Sequence, residues 1–355
     1  MTWREISVTQ LEQLTDPLLI DVRSPCEHES ERIPGSINLP LLSNEERAIV
    51  GTIYADKGEL VARREALRII APKISPIVDA IVRMRKGRQP TVIHCWRGGL
   101  RSEAVASVLS VAGIDCFRLT GGYKAWRNHL VSQFEENNFT LNPVVLHGLT
   151  GVGKTDILDQ LSTLAASVLD LEALARHRGS VFGSLGLGAQ PTQKNFEADL
   201  WARLKHFGNE FVFLEAESRK IGKIALPDCI LKKIQSGKRI LVTGSLEARR
   251  ARILAAYANE LDSQTVNLAC EYLGKLKERL GSKRVAELIQ LADAKDFGKL
   301  VDALLIEYYD PLYQRQIDKA FPYDLEVNGD DPRSAAQAIH EYYGLGTTYA
   351  QASRF

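Results

Sequence analysis

The stretch VVLHGLTGVGKTDILDQL, residues 144–161, leaves the backbone around it little freedom. An apolar run, a glycine turn and a helix-forming segment follow one another, with Gly148, Gly153, Lys154 and Thr155 in the spacing G-x-x-x-x-G-K-T and a further glycine at Gly151. This is the complete Walker A pattern in its required strand–loop–helix context. Glycines let backbone N–H groups converge on phosphate oxygens, and the helix N-terminus adds a partial positive charge. Lys154 is placed to reach a terminal phosphate, and the Thr155 hydroxyl to ligate Mg2+. A carboxylate should end a nearby apolar strand. FVFLEAES offers Glu215 and Glu217, and Asp170, ending SVLD, competes with them. Such a loop takes diphosphates as well as triphosphates, so the motif alone does not specify ATP.

The rest of the chain alternates apolar strands with helical stretches, which predicts parallel α/β sheets. PLLIDVR (17–23), TVIHC (91–95) and DCFRLTGG (115–122) read as strands, with a helix at RSEAVASVLSVAG (101–113). In that helix Val105, Val108, Leu109 and Ala112 share a face, and Gly113 supplies the stop. A polar connection, SQFEENNFTLNP (132–143), precedes a second unit. Its strands are VVLHG, SVLDLE (167–172), EFVFLEAE (210–217), KRILVTGS (238–245) and YDLEVNGD (323–330). Between the last two lies a helical block in which Val266, Ala269, Cys270, Leu273, Leu276 and Leu280 form a stripe, Gly281 a stop and Ser282 the next N-cap. The expected organisation is an α/β parallel-sheet domain at 1–131, a linker at 132–143, and a P-loop α/β domain at 144–355 with a helical insertion at about 247–320.

A second anion-binding signature lies upstream. HCWRGGLRS (94–102) fits both the H-C-x-x-G-x-x-R-S loop of cysteine phosphatases and the sulfur-carrying loop of rhodaneses. Either way Cys95 ends a strand, faces the start of a helix and is flanked by Arg97 and Arg101, a setting that favours the thiolate. A cysteine phosphatase needs a carboxylic general acid for the leaving oxygen. Upstream there is only a charged segment around Asp56, with no aromatic-Pro-Asp loop. LLIDVRSPCEHESERIPGSINLP (18–40) and LTGGYKAW (119–126) resemble the first strand, turn and closing segment of the rhodanese family. That resemblance implies a fold of this class and an adduct-carrying Cys95 stabilised by loop amides. His28 stands where rhodaneses more often place an aromatic residue.

Together with the cysteine loop, RHRGSVFG (176–183), QPTQKNFE (190–197) and ESRKIGKIALP (217–227) closely resemble the tRNA 2-selenouridine synthase family. Leu100 stands where that family's loop has Met. The resemblance implies a transferase acting on wobble 2-thiouridine in the tRNAs for Lys, Glu and Gln. Sulfur is exchanged for selenium from selenophosphate by way of an S-geranyl intermediate made from geranyl diphosphate. It further implies a P-loop that holds the diphosphate, a perselenide on Cys95, and a selenophosphate-supplying enzyme as partner. Within the family motifs Arg178, Ser180, Arg219 and Lys220 would grip diphosphate or tRNA. Phe182, Leu185, Leu187 and Phe196 would line a geranyl pocket or pack in the core. The alternatives are an ATP-dependent tRNA sulfurtransferase and a non-catalytic, nucleotide-binding redox regulator.

With 45 Lys and Arg against 44 Asp and Glu, an RNA partner requires a local basic face. Residues 203–254 carry twelve Lys/Arg and five Asp/Glu, an excess of seven. Within them Arg249, Arg250 and Arg252 read either as part of an RNA face or as arginines around a phosphate. The five cysteines are widely spaced without a C-x-x-C pair, which predicts free thiols in a reducing cytoplasm. No apolar run spans a membrane and the N-terminal segment has no secretory pattern. Cys26 is a plain cysteine or a resolving partner for Cys95, and Trp96 stacks on a base or covers the loop.

Overall fold

The computed structural model describes residues 3–180, 183–184, 186–257 and 270–345. The chain divides into two compact units, Met1–Asn138 with Glu197–Ala202, and Phe139–Phe196 with Arg203–Phe355.

In the first unit β1 (Arg4–Ile6), β2 (Leu18–Asp21), β3 (Ile37–Asn38), β4 (Thr91–His94) and β5 (Phe117–Leu119) form one sheet, ordered β1-β5-β4-β2-β3. Every pairing is parallel. Both central strands, β2 and β4, are buried throughout, as expected for strands covered on two faces. Short helices α1 (Val8–Glu12) and α2 (Pro25–Ser30) follow β1 and β2. Between β3 and β4 the chain makes α3 (Asn44–Lys57), opened by a Ser43–Glu46 capping box, and α4 (Glu59–Met84). Helix α5 (Leu100–Val111) buries Ser102, Val105, Ala106 and Leu109 rather than the stripe expected through Val108 and Ala112. The face is rotated because the helix starts in the loop that wraps Cys95, which turns Ser102 inward. Helix α6 (Gly122–Glu135) buries Tyr123, Trp126, Leu130 and Phe134 at helical spacing. That apolar face carries the helix into the segment expected as linker, and the next strand already begins at Asn142, so only residues 136–141 connect them.

The second unit centres on β6 (Asn142–His147). The same sheet holds β7 (Ser167–Val168), β8 (Phe211–Glu215), β11 (Lys238–Thr243) and β12 (Leu325–Asn328), ordered β12-β11-β6-β8-β7 and all parallel. A separate hairpin pairs β9 (Lys220–Ile221) with β10 (Ile224–Ala225). Helices α7 (Lys154–Thr163), α8 (Leu171–Ala175), α9 (Gln193–Leu204) and α10 (Asp228–Ser236) connect the strands. One core joins Val144, Leu146 and Phe213 of the sheet to Ile157 and Leu161 of α7 and to Ile339. Because β6 lies between β8 and β11, the loop after it opens at the carboxyl edge of the sheet, where α/β folds bind ligands.

The helical block contains α11 (Leu246–Tyr257), α12 (Ser282–Asp293), α13 (Phe297–Leu304), a π-helical turn at Leu305–Tyr309 and α14 (Asp310–Ala320); α15 (Pro332–Tyr342) follows β12. It has its own core, including Leu273, Leu276, Val285, Leu288, Leu300 and Tyr309. Leu273 and Leu276 occupy the inner face as expected, with Cys270 and Leu280 packed against it. Val266 and Ala269 of that stripe lie outside the described residues, as do Phe182 and Leu185. The N-cap of α12 is Gly281, with φ 80°, and Ser282 is the first helical residue instead of the cap. Among the described residues no helix is long and apolar enough to cross a membrane.

Candidate anion sites at Cys95 and Lys154

Cys95 follows the buried strand β4 and is itself 3% exposed. Its Sγ lies 3.2 Å from the Ser102 hydroxyl and 3.8 Å from the Gly99 carbonyl oxygen. The loop is locked by the GG turn of LTGGYKAW. Tyr123 N–H donates to the Cys95 carbonyl (2.8 Å) and Lys124 N–H to that of Trp96 (2.9 Å). A Cβ on Gly122, whose φ is +58°, would stand 2.3 Å from the Cys95 oxygen, so no side chain fits there. Trp96, half-buried, stacks on Tyr123 with ring centroids 5.5 Å apart.

Beneath the loop Arg23 is fully buried and binds Asp21 (2.7 Å) and the Glu31 carbonyl (2.6 Å), with its guanidinium 4.4 Å from the Tyr123 ring. His28 completes this cluster by pairing with Asp21 at 3.0 Å, which accounts for a polar residue where an aromatic was expected. Burial pushes the neighbouring His94 imidazole down to about 4, so it is neutral at physiological pH.

The two arginines of the loop differ. Arg97 is exposed and makes no ion pair among the described residues. Arg101 binds Glu27 through both terminal nitrogens, at 2.7 and 3.3 Å. Burial works to raise the Glu27 carboxyl, but the hydrogen bonds and charge of Arg101 outweigh it and hold the group below the usual range. Cys26 is exposed on α2, its N–H donating to Asn44.

At the second site Gly153, with φ +93°, is the N-cap of α7, so the helix N-terminus points into the loop from Gly148 to Thr155. Lys154 Nζ lies 3.3 Å from the carbonyl oxygens of Gly148 and Leu149, over the loop. Thr155 Oγ1 donates to Glu215 Oε1 at 2.5 Å. Glu172, Glu215 and Glu217 converge, with one carboxylate oxygen of each within 4.8 Å of the others. Burial raises all three above the usual carboxylate range. The mutual charges of the cluster push Glu172 and Glu217 up further, while Lys154 and Thr155 pull Glu215 back. Three carboxylates held close at such a cost, next to the Thr155 hydroxyl, form an all-oxygen donor set that fits Mg2+.

Glu172, which the sequence pattern does not single out, joins Glu215 and Glu217 in the cluster, whereas Asp170, the competitor of those two for the strand-end carboxylate, does not. Asp170 accepts the Ala173 N–H (2.8 Å) as N-cap of α8, which turns Glu172 of the first helical turn toward the cluster. The signal lay in LDLE, where a capping Asp and a second carboxylate stand two residues apart. Tyr313 was also missed: burial and then the charge of Glu217 push its phenol up to about 12, which marks it as a neighbour delivered by α14. The RHRGS loop leans on the same place, since a Cβ at Gly179 would lie 2.4 Å from Glu172 Oε1. Its backbone is closed by the Arg178 N–H to Gly183 (2.9 Å) and the Ser180 N–H to Arg178 (2.6 Å). Arg219 is not brought to the loop but forms an exposed ion pair with Asp228 at 2.9 Å. Phe196 is fully buried and belongs to the core.

The arginines of α11 are tied to the phosphate loop and to carboxylates of the helical block. Arg249 is 4% exposed, its Nε donating to the Thr150 carbonyl (2.8 Å) and its terminal nitrogens gripping Asp310. Arg252 binds Asp156 at 3.0 Å and the carbonyls of Gly151, Gly329 and Asp330. Arg250 pairs with Asp302 at 2.9 Å. Arg249 and Arg252 form a scaffold behind the phosphate loop with all their guanidinium nitrogens engaged, while half-buried Arg250 holds Asp302 through one nitrogen.

A rhodanese-like domain with a cysteine loop, followed by a P-loop α/β domain with a carboxylate cluster, defines the class of protein. Residues 7–129 match the model of the rhodanese-like domain, and residues 141–339 that of the tRNA 2-selenouridine synthase AAA domain. The chain is 34% identical over 349 residues to the tRNA 2-selenouridine synthase of Shewanella pealeana (strain ATCC 700345 / ANG-SQ1), covering 90% of this chain and 94% of that one. Against the same-named protein of Pseudomonas syringae pv. tomato it is 34% identical over 331 residues, covering 85% and 89%. The chain belongs to the tRNA 2-selenouridine synthase family.

Proposed function

We propose that this chain replaces the sulfur of wobble 2-thiouridine in tRNA by selenium, by way of an S-geranyl intermediate. The observation that carries the reading is the pairing, in a chain of this family, of a phosphate-binding P-loop with a separate cysteine loop. Sulfur on a pyrimidine C2 is a poor leaving group, and alkylation turns it into a departing thiol. In the first reaction the thiocarbonyl sulfur attacks the allylic carbon of geranyl diphosphate and the C–O pair leaves with diphosphate. Lys154, the loop amides and the α7 N-terminus stabilise the charge that grows there. Thr155, Glu215, Glu217 and Glu172 would hold Mg2+, whose chemistry is to neutralise phosphate oxygens. In the second reaction a selenium nucleophile derived from selenophosphate adds at C2 and geranylthiol departs, with the Cys95 loop serving this step.

Incubating the protein with thiolated tRNA and either geranyl diphosphate or ATP, followed by mass spectrometry of the nucleosides, tests the reading. S-geranyl-2-thiouridine is expected with geranyl diphosphate alone. A product that requires ATP would instead establish the sulfurtransferase.

A further inference from the structure

We propose that Cys95 is a phosphoryl acceptor, whose thiolate cleaves a selenium–phosphorus bond on the modified base. The inference rests on the reading above that selenophosphate is the donor. When its selenium displaces geranylthiol from C2, the product still carries the phosphoryl group on selenium. Cys95 attacks phosphorus, the Se–P pair stays on selenium to give 2-selenouridine, and a phosphoryl-cysteine remains. Water then attacks that phosphorus, releasing inorganic phosphate and the thiolate. Nothing is oxidised or reduced. A perselenide on Cys95 balances less well: the selenium of selenophosphate is at the selenide level, so joining it to a thiolate needs a two-electron oxidant.

Four features favour attack on phosphorus. Cys95 and Arg101 are separated by five residues and followed by Ser102, the spacing of a cysteine phosphoryl-transfer loop. Glu27 pins only the edge of the Arg101 guanidinium made by its two terminal nitrogens, leaving Nε–H for an oxyanion. The N-terminus of α5 and exposed Arg97 add positive potential. Ser102 is fully buried with its hydroxyl 3.2 Å from Sγ and donating to the Gly99 carbonyl at 3.0 Å, placed to turn its proton to the thiolate leaving in the second step.

Neither Glu27 nor Asp21 is available as a general acid. Glu27 is committed to Arg101, and Asp21 is buried beneath with Arg23. An alkyl phosphate would need a proton for its leaving oxygen, whereas a 2-selenouracil anion, delocalised over the ring, departs without one. The loop is therefore suited to phosphoryl groups on acidic leaving atoms.

The full chain should turn over 2,4-dinitrophenyl phosphate and process phenyl phosphate at least ~100-fold more slowly, the smallest usual contribution of a general acid. Rapid quenching and intact-mass analysis of the wild type should show one phosphoryl group on Cys95. Ser102→Ala should accumulate it, and Cys95→Ser should show none. With S-geranylated tRNA and selenophosphate, Cys95→Ser should stall at selenium-phosphorylated uridine. Equal turnover of the two esters would overturn the proposal. So would wild-type formation of 2-selenouridine with Cys95 never phosphorylated, a result that leaves the proposed function standing. If phosphoryl-Cys95 forms from the ester but no substrate yields 2-selenouridine, the proposed function falls and the loop chemistry remains.

Discussion

Arg249→Met asks whether the α11 arginines are scaffold or ligand. The substitution keeps the length of the buried stem and removes the guanidinium. Asp310 then loses its partner and the Thr150 carbonyl its donor. Breaking one side of a buried ion pair costs about 3–5 kcal/mol. The Asp310 side chain is 26% exposed, so water recovers part of this and the lower end applies. The lost hydrogen bond to Thr150 adds about 1 kcal/mol, for a total of about 4. For a unit of this size each kcal/mol moves the melting temperature by about 2–4 °C, so a fall of about 10 °C is expected. Scanning calorimetry should show it in the transition of the P-loop unit, with the rhodanese-like transition unmoved. Asp310→Asn in the Arg249→Met background should recover at least about 1 kcal/mol, because the orphaned charge is gone. A variant that melts within about 2 °C of wild type while losing diphosphate or tRNA affinity would refute the scaffold.

Lys154→Ala should weaken geranyl transfer by about 2–4 kcal/mol of transition-state stabilisation, together with diphosphate binding; unchanged transfer would assign the loop to another ligand. Cys95→Ser should abolish 2-selenouridine while sparing S-geranylation, read by nucleoside mass spectrometry, and normal selenium incorporation would exclude Cys95 from the step. Glu172, Glu215 and Glu217 all have raised pKa values, so the folded chain holds extra protons above the usual carboxylate range. Stability without metal should therefore fall as pH rises from about 5 through the raised values. Glu172→Gln should flatten that fall in urea titrations, and Mg2+ affinity should climb with pH; an identical slope in the variant would break up the cluster. If exposed Lys220, Lys223 and Lys232 track tRNA phosphates, replacing each by Gln should reduce the salt dependence of binding by up to about 0.9 per contact, and an unaltered slope would move the RNA face elsewhere.

Both loops and the central strands were legible in the sequence because each motif fixes local backbone and chemistry together. Lys154 and Thr155 stand where the spacing placed them. Partners brought in from elsewhere were not legible. Glu27 engages Arg101 across 74 positions, and Arg249 reaches Thr150 across 99, distances that no local pattern encodes. Asp170 and Glu172 show a finer limit. Both are carboxylates after the same short strand, and only the helix start decides which one caps and which turns inward. The α5 stripe was misread for a related reason: periodicity gives the spacing of a buried face but not its phase, and Ser102 is turned inward by the cysteine, not by hydropathy.

The lock between the GG turn and the cysteine loop has a consequence for biosynthesis. Chains emerge from the N-terminus and units fold as they are completed. Cys95 leaves the ribosome well before Gly122, Tyr123 and Lys124, whose backbones close its loop. Until they arrive, the sulfur sits on an open chain end with no assembled neighbours. The thiol therefore acquires its working surroundings late, and a nascent chain stalled before Gly122 carries an ordinary cysteine.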